Sequence, residues 1–285
     1  GKARHDVELT SQQFGRLRDL IYAKLGIHFE ERKVYFLKRR VEERLAAHAM
    51  AKFDEYIFLL AHCDPDGVEM QALANLITTN ETYMFREYEQ LEGFANLCLP
   101  EVVDAKRARG DRTLRIWSAG CSSGEEPYTL AIIVREVLLD VAQWRVEIVA
   151  TDVDEGMLEL SGRARYGERS IKYVPEDYRP RHLVRTGREE YAIHPDTKAL
   201  VTVRHLNLHD AAAMRQMRGF DFIFCRNVLI YFDDASRKGV VDHFYEALNP
   251  DGFIFLGHSE SVGRITPSFK LRRLEKQLVY CKAAA

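Results

Sequence analysis

The chain has 285 residues, 46% hydrophobic and 29% charged, the balance of an ordinary soluble globular protein long enough for one large core or two domains. Its formal net charge of −2 gives no global reason to expect nucleic-acid binding, although a local basic patch stays compatible with it. No apolar run approaches membrane-spanning length, and the stretch Gly1 to Asp6 lacks the apolar centre of a signal peptide, so a cytoplasmic protein without membrane insertion is expected.

The first part of the chain reads as helix. Thr10 and Gln13 have capping-box spacing ahead of an apolar face of Phe14, Leu17, Leu20, Ile21 and Leu25 that ends at Gly26. A second helix is predicted over about 30–50, with Val34, Leu37, Val41 and Leu45 on one side. Its other faces carry Arg32, Lys33, Lys38, Arg39, Arg40 and Arg44. Residues 53–60 and 68–77 suggest two shorter helices split by Asp64, Pro65, Asp66 and Gly67. An all-α N-terminal domain over 1–77 follows, then a polar linker over 78–90.

From Leu91 onward, helices alternate with β-rich runs. Strands are predicted at 114–118, 146–151, 201–206, 220–225, 252–258 and 278–282. Helices are predicted at 93–108, 127–141, 156–164 and 237–248, the last before a turn at Asn249, Pro250, Asp251 and Gly252. This alternation implies an α/β domain over 91–285 with a mostly parallel sheet. The interval of about 165–199 is too long for a simple crossover and reads as a small β insertion, with hairpin strands at 181–186 and 190–194. Five cysteines, none in a Cys-x-x-Cys pair, indicate reduced thiols rather than disulfides or a zinc ribbon.

The first strand runs into a loop containing Gly120 and Gly124 and then into the helix that opens with Glu125 and Glu126. A glycine loop between strand and helix is where nucleotide-like ligands dock in doubly wound sheets. This one lacks the Gly-Lys-Ser/Thr ending of a phosphate loop, and its two carboxylates repel an anion while suiting a neutral or cationic ligand. The next strand ends at Asp152, placed to accept both hydroxyls of a ribose, with Asp154 the better helix cap. Capping alone would explain either aspartate. The apolar run 220–225 suits a buried central strand, with Arg226 and Asn227 emerging at its carboxyl end; a turn-forming asparagine is the simpler alternative there. Upstream, Asn80, Thr82 and Arg86 would lie near one face if their segment were helical. His205, His209 and His258 show no metal-ligand spacing, and no metal is expected.

Five motifs in order resemble the chemotaxis receptor methyltransferases, which are S-adenosylmethionine-dependent protein-glutamate O-methyltransferases. They are Thr78, Thr79, Asn80, Thr82, Phe85 and Arg86; Trp117, Ser118, Ala119 with Gly124, Glu125, Glu126, Pro127 and Tyr128; Ala150 through Asp154; Phe224 through Val228 with Ile230, Tyr231 and Phe232; and Leu248, Pro250 and Gly252 with Gly257 through Glu260. The resemblance covers essentially the whole chain. It implies a class I methyltransferase-like, doubly wound, mostly parallel sheet with a small β insertion, preceded by an all-α domain that faces the receptor. It also implies that Asn80, Thr82, Arg86, Glu126, Asp152, Asn207, Leu208, Asn227 and Val228 contact S-adenosylmethionine, with Asn207 and Leu208 near the adenine. Gly120 in the glycine loop belongs to the same cofactor set. Arg86 and Tyr231 become the residues that orient the acceptor.

The implied partner is the cytoplasmic domain of methyl-accepting receptors, met through the basic helix at about 30–50 and in some members through the β insertion; a monomer is expected, and no nucleic acid. S-adenosylmethionine carries a sulfonium, an ammonium and a carboxylate but no phosphate, which agrees with acids in the glycine loop. Two alternatives stay open from the sequence: methylation of nucleic acid or a small molecule, and a non-catalytic cofactor-binding sensor or scaffold.

Overall fold

The computed structural model describes residues 8–25, 29–77, 82–229, 232, 234–257 and 266–284. The chain divides into two compact units, residues 1–80 with 229–237, and residues 81–228 with 238–285.

Among the described residues of 1–80 there are four α-helices, α1 (Ser11–Leu25), α2 (Val34–Ala47, after the 3-10 turn Glu31–Lys33), α3 (Phe53–His62) and α4 (Val68–Ile77). The capping box at the start of α1 is present: Gln13 N donates to Thr10 Oγ1, and Thr10 N donates to Gln13 Oε1. The apolar stripes face inward, with Leu17, Ile21, Leu37, Val41, Tyr56, Leu60 and Leu73 fully buried. Asp64 receives the amides of Glu69 and Met70 at the start of α4, satisfying donors that a helix start leaves open. The expected basic face of α2 is partly consumed. Arg44 forks onto the buried Glu69 (2.7 and 2.9 Å), and Lys38 and Arg40 pair with Glu42 and Glu43 on the same helix.

Glu69 also meets His48 Nε2 at 2.6 Å and accepts from Tyr56 Oη at 2.8 Å. One carboxylate thus ties α2, α3 and α4 together. Burial pushes its pKa up, but the hydrogen bonds from Arg44, His48 and Tyr56 outweigh this and hold it below the ordinary glutamate value.

Among the described residues, the second unit is built on a seven-stranded sheet. Its strands are β1 (Thr113–Ala119), β2 (Arg145–Asp152), β6 (Val201–His205), β7 (Phe220–Cys225), β8 (Leu248–Leu256), β9 (Lys270–Leu274) and β10 (Gln277–Cys281). Their order is β6-β2-β1-β7-β8-β10-β9. The first five pair in parallel; β10 pairs antiparallel with β8, and β9 with β10. Every residue of β7 is buried, as its mostly apolar run predicts for a strand covered on both faces; its one acid, Asp221, is paired with Lys106 at 3.1 Å. On one face Phe94 makes edge contacts with Phe222, Phe224 and Phe255. On the other, Trp117 packs edge-on against Phe244 of α13 (Asp234–Ala247).

Phe94 lies in a continuous helical stretch of α5 (Tyr88–Gly93), a π-helical turn (Phe94–Cys98) and α6 (Leu99–Ala108). That stretch begins five residues before the predicted start. Next come α7 (Glu125–Val137), packed against β2, and α8 (Glu155–Arg163). The interval before β6 holds a three-stranded antiparallel sheet, β3 (Arg165–Gly167), β4 (Leu183–Arg185) and β5 (Glu190–Ile193), in the order β3-β5-β4. The predicted hairpin is β4–β5; β3 adds a strand to it. Short helices α9 (Glu168–Ile171), α10 (Arg179–His182), α11 (Pro195–Lys198) and α12 (Ala211–Arg215) fill the connections.

Two local readings are corrected. The turn expected at 249–252 lies inside β8, because Asp251 takes a left-handed φ of 65° and the β7–β8 register shifts beside it. This bulge is pinned to the sheet by Asp251 N donating to Lys282 O and Lys282 N donating to Gly252 O. Strand β9 was not anticipated; its charged run Lys270, Arg272, Arg273 belongs to the sheet edge.

Two stability measurements follow from these contacts. Glu69→Gln keeps the shape but leaves Arg44 without its counter-charge, with an expected loss of about 3 kcal/mol in urea unfolding. Because the folded pKa of Glu69 is depressed, its contribution is present above the ordinary glutamate value and disappears as pH falls through the folded value. The difference between native and variant midpoints therefore shrinks in acid. For the loop after β1, Gly124 has φ +99°, and an added Cβ would stand 2.5 Å from Ser161 Oγ and 2.6 Å from Tyr166 Oη. Gly124→Ala is expected to cost about 2 kcal/mol or more and to lower Tm by about 5 °C. Gly162→Ala in α8, with nothing within 4 Å of its Cβ, should leave Tm equal or slightly higher.

Candidate functional site

Strands β6, β2, β1, β7 and β8 run parallel, so their carboxyl ends share one edge of the sheet. After β1 the chain builds outward through β2 to β6, then returns to place β7 on the other side of β1. This reversal opens a crevice at the strand ends, the position where open α/β sheets bind ligands. The loops at that edge carry Gly120 to Gly124, Asp152, Asn207 with Leu208, and Arg226 to Val228.

The loop after β1 is folded onto the end of β2. Gly120 N and Cys121 N both donate to Thr151 O (2.9 and 2.8 Å), and Gly124 N donates to Cys121 O at 3.0 Å. Ser122 N donates to Asp152 Oδ2 at 2.8 Å. Four amides of the loop, those of Gly120, Cys121, Ser122 and Gly124, are thereby committed inside the protein, where a phosphate cradle would point its amides at the ligand. Gly120 itself has φ +73°, and a Cβ there would fall 2.4 Å from Val228 Cγ2. No larger residue fits this contact between the two loops.

Asp152 closes β2 half-buried. Its Oδ1 accepts the amide of Asp154 at 2.9 Å, so each carboxylate oxygen holds one backbone donor and keeps a lone pair for another. Burial raises its pKa above the ordinary aspartate value, against the lowering effect of those backbone hydrogen bonds. Asp154 is the cap of α8, accepting from Gly156 N and Met157 N. The division of roles between the two aspartates thus has Asp154 as the cap. Leu206 N donates to Asp152 O, and Asn207 Oδ1 accepts from His209 N at 2.9 Å, which sets Asn207 and Leu208 in a turn beside β2.

The two glutamates that open α7 have different surroundings. Glu125 is buried, accepts from Ser123 Oγ at 2.7 Å and from Thr82 Oγ1 at 3.3 Å, and has its pKa raised by burial. Glu126 accepts from Ser118 Oγ at 2.7 Å and from Arg226 Nε at 2.9 Å. The sequence places Arg226 at the end of β7 but does not reveal its burial or its partners. Read as the exit from β7, it is instead buried, and its Nη1 donates to Arg86 O at 2.8 Å and to Gln90 Oε1 at 3.3 Å. A buried arginine requires carboxylate partners, and the two acids near it, Glu87 and Glu126, are the signal that could have found it.

Thr82 and Arg86 do not share a helical face. Residues 84 and 85 form a turn, and Phe85 and Glu87 are both left-handed, with φ of 60° and 57°. Phe85 N donates to Thr129 Oγ1 of α7 at 3.1 Å. Asn227 is left-handed as well, and its Nδ2 donates to Glu87 Oε1 at 3.4 Å. The described site residues Thr82, Arg86, Gly120, Glu126, Asp152, Asn227 and Val228 are therefore linked by direct contacts or through Glu125, Glu87, Arg226 and Ser122. Asn80 and Tyr231 lie outside the described residues, as do His258, Ser259 and Glu260. Among the described residues no group of three His, Cys, Asp or Glu could hold a metal ion, and no helix is long and apolar enough to cross a membrane.

Comparison with known proteins gives the same order of parts. Residues 12–78 match the CheR methyltransferase all-alpha domain, and residues 80–278 match the CheR methyltransferase SAM binding domain. The chain is 38% identical over 278 residues to chemotaxis protein methyltransferase 2 of Vibrio cholerae, covering 98% of this chain and 95% of that protein. It is 33% identical to the chemotaxis protein methyltransferase of Escherichia coli (93% and 89% covered) and 31% identical to that of Borreliella burgdorferi (90% and 90%). The cofactor of this domain is S-adenosylmethionine, and the donor set suits it. The glycine loop offers committed amides and carboxylates rather than an anion cradle, and Asp152 retains acceptors for a diol. With its all-α domain, its mostly parallel sheet and its small antiparallel insertion, the chain belongs to the CheR methyltransferase family.

Proposed function

We propose that this protein transfers a methyl group from S-adenosylmethionine to glutamate side chains of chemotaxis receptors in the cytoplasm, forming γ-methyl esters. The observation that carries the reading is the strand-end site in which the loop amides are turned inward onto Thr151 and Asp152. Such a loop accepts a ligand bearing a diol and positive charge and disfavours one bearing phosphate. Asp152 would hold the ribose hydroxyls, Asn207 and Leu208 would flank the adenine, and Asn80, Thr82, Gly120, Glu126, Asn227 and Val228 would complete the cofactor contacts.

When bound, the cofactor supplies a methyl group on a positively charged sulfur. The acceptor carboxylate has a reference pKa of about 4.3, so it is ionised at neutral pH and the protein needs neither a general base nor a nucleophile of its own. What the residues contribute is alignment and exclusion of water. Arg86 and Tyr231 would orient the two reactants; a guanidinium that fully neutralised the acceptor would weaken it, so Arg86 serves mainly as a cofactor anchor. Outward basic residues of α2 fit an acidic, glutamate-bearing receptor helix, an attraction that steers association and weakens with salt. The β3-β5-β4 sheet is the second surface proposed to meet a receptor.

The test is incubation with methyl-labelled cofactor and receptor-bearing membranes from the source organism. Base-labile, volatile label should appear, and Asp152→Ala should lower the rate by about 100-fold or more, the equivalent of two charge-assisted hydrogen bonds. Label that is stable to base, or none with any receptor, would overturn the assignment.

A further inference from the structure

Arg86 sits between two residues, Phe85 and Glu87, whose φ values of 60° and 57° are left-handed. For residues with a side chain, such backbone costs on the order of 1–2 kcal/mol each and persists only where the surroundings over-determine it. Here the main chain is held at three successive residues. Met84 N donates to Ser170 O at 2.9 Å, Phe85 N donates to Thr129 Oγ1 at 3.1 Å, and Arg86 O accepts from Arg226 Nη1 at 2.8 Å. Glu87 is fixed through its side chain, which accepts from Asn227 Nδ2 at 3.4 Å.

Arg226 is the group that connects this strained turn to the rest of the site. Its Nε donates to Glu126 Oε2 at 2.9 Å, and the other oxygen of Glu126 is held by Ser118 Oγ at 2.7 Å. Its Nη1 also reaches Gln90 Oε1 at 3.3 Å, and Gln90 Nε2 donates to Leu256 O at 2.7 Å. One buried fork thus joins the ends of β1, β7 and β8, the first turn of α7 and the carbonyl of Arg86. Its side chain is only 4% exposed, so water cannot replace these bonds. Glu87 Oε2 lies 3.8 Å from the same Nη1 and is a buried oxygen without a hydrogen-bond donor. That carboxylate oxygen faces the Arg226 cation without accepting a hydrogen bond.

We propose that Arg226 is a positioning residue for methyl transfer: its planar fork spans Glu126 and the Arg86 carbonyl and so fixes the main chain that carries the Arg86 side chain. The inference rests on the role given to Arg86 above. Lysine in its place keeps the charge but, as a point donor on a flexible stem, does not hold both acceptors in one plane.

A double-mutant cycle read by calorimetry with S-adenosylhomocysteine tests this, using the full chain unchanged, Arg226→Lys, Arg86→Ala and the pair. Arg86→Ala should weaken binding about 30-fold. Arg226→Lys should weaken it about 10-fold alone and less than about 2-fold on top of Arg86→Ala. The same factor in both backgrounds overturns the proposal, because Arg226 would then act on the fold or on Glu126 without passing through Arg86. An Arg86→Ala protein that binds as tightly as the unchanged chain overturns it too. Failure of the cofactor reading itself is distinct: the unchanged chain would then show no binding. Should Arg226→Lys not fold by circular dichroism, Gln90→Leu runs the same cycle by removing one acceptor of Nη1. It should give about 3-fold alone and no further loss with Arg86→Ala, and equal losses in both backgrounds overturn the proposal.

Discussion

The carbonyl of Thr151 accepts two successive amides, from Gly120 and Cys121, and this doubled acceptance holds the loop after β1 against the end of β2. Asp152 extends the same arrangement by taking Ser122 N on its side chain. The direction in which the loop's N–H groups point is thereby settled before any ligand arrives. Phosphate-binding loops of similar outline leave those groups turned outward, at a helix start whose dipole favours an anion. In this protein the helix start is occupied by Glu125 and Glu126, and the first of them is buried against Ser123 and Thr82. Ligand class is therefore decided by the backbone, and the carboxylates reinforce it.

Around that loop the site is held by groups far apart in sequence. Arg226 and Glu126 are separated by 100 positions, and Arg226 and Arg86 by 140. A buried ion pair of this kind contributes little net stability, because desolvation consumes most of the attraction, yet removing one partner is costly. Its value lies in geometry: one rigid fork holds three acceptors, Glu126 Oε2, Arg86 O and Gln90 Oε1. The left-handed turn at Phe85 and Glu87 would relax without such a fixture. Strain concentrated beside a site and held by a buried cation is a recognised way to preset a reactive arrangement.

Much of this architecture was legible in the residues. The mostly apolar β7 announced a central parallel strand, and Gly120 and Gly124 announced a turn whose positive φ values and close contacts with Val228 and Tyr166 bear them out. Strand β3 was hidden because three residues, Arg165 to Gly167, are too few to show alternation. Strand β9 was hidden because its charges read as loop. The early start of α5 was masked by Glu87, whose left-handed backbone no local propensity predicts. Arg226 misled for a different reason. Its place at the carboxyl end of β7 was legible, but its burial was not, because the acids that bury it, Glu87 and Glu126, lie on other elements. The paired state of the basic α2 helix was obscure likewise, since Glu69 sits on α4.

Strand β9 closes the described sheet at its outer edge, beyond β10, and such an edge presents unpaired backbone groups to any other extended chain. Its five residues include Lys270, Arg272 and Arg273, and Arg272 is pinned by Glu101. A second copy pairing along this edge would set guanidinium against guanidinium, a repulsion that natural sheets use to resist stacking into fibres. The short, cationic last-in-line strand lies as far from the crevice as the described sheet allows.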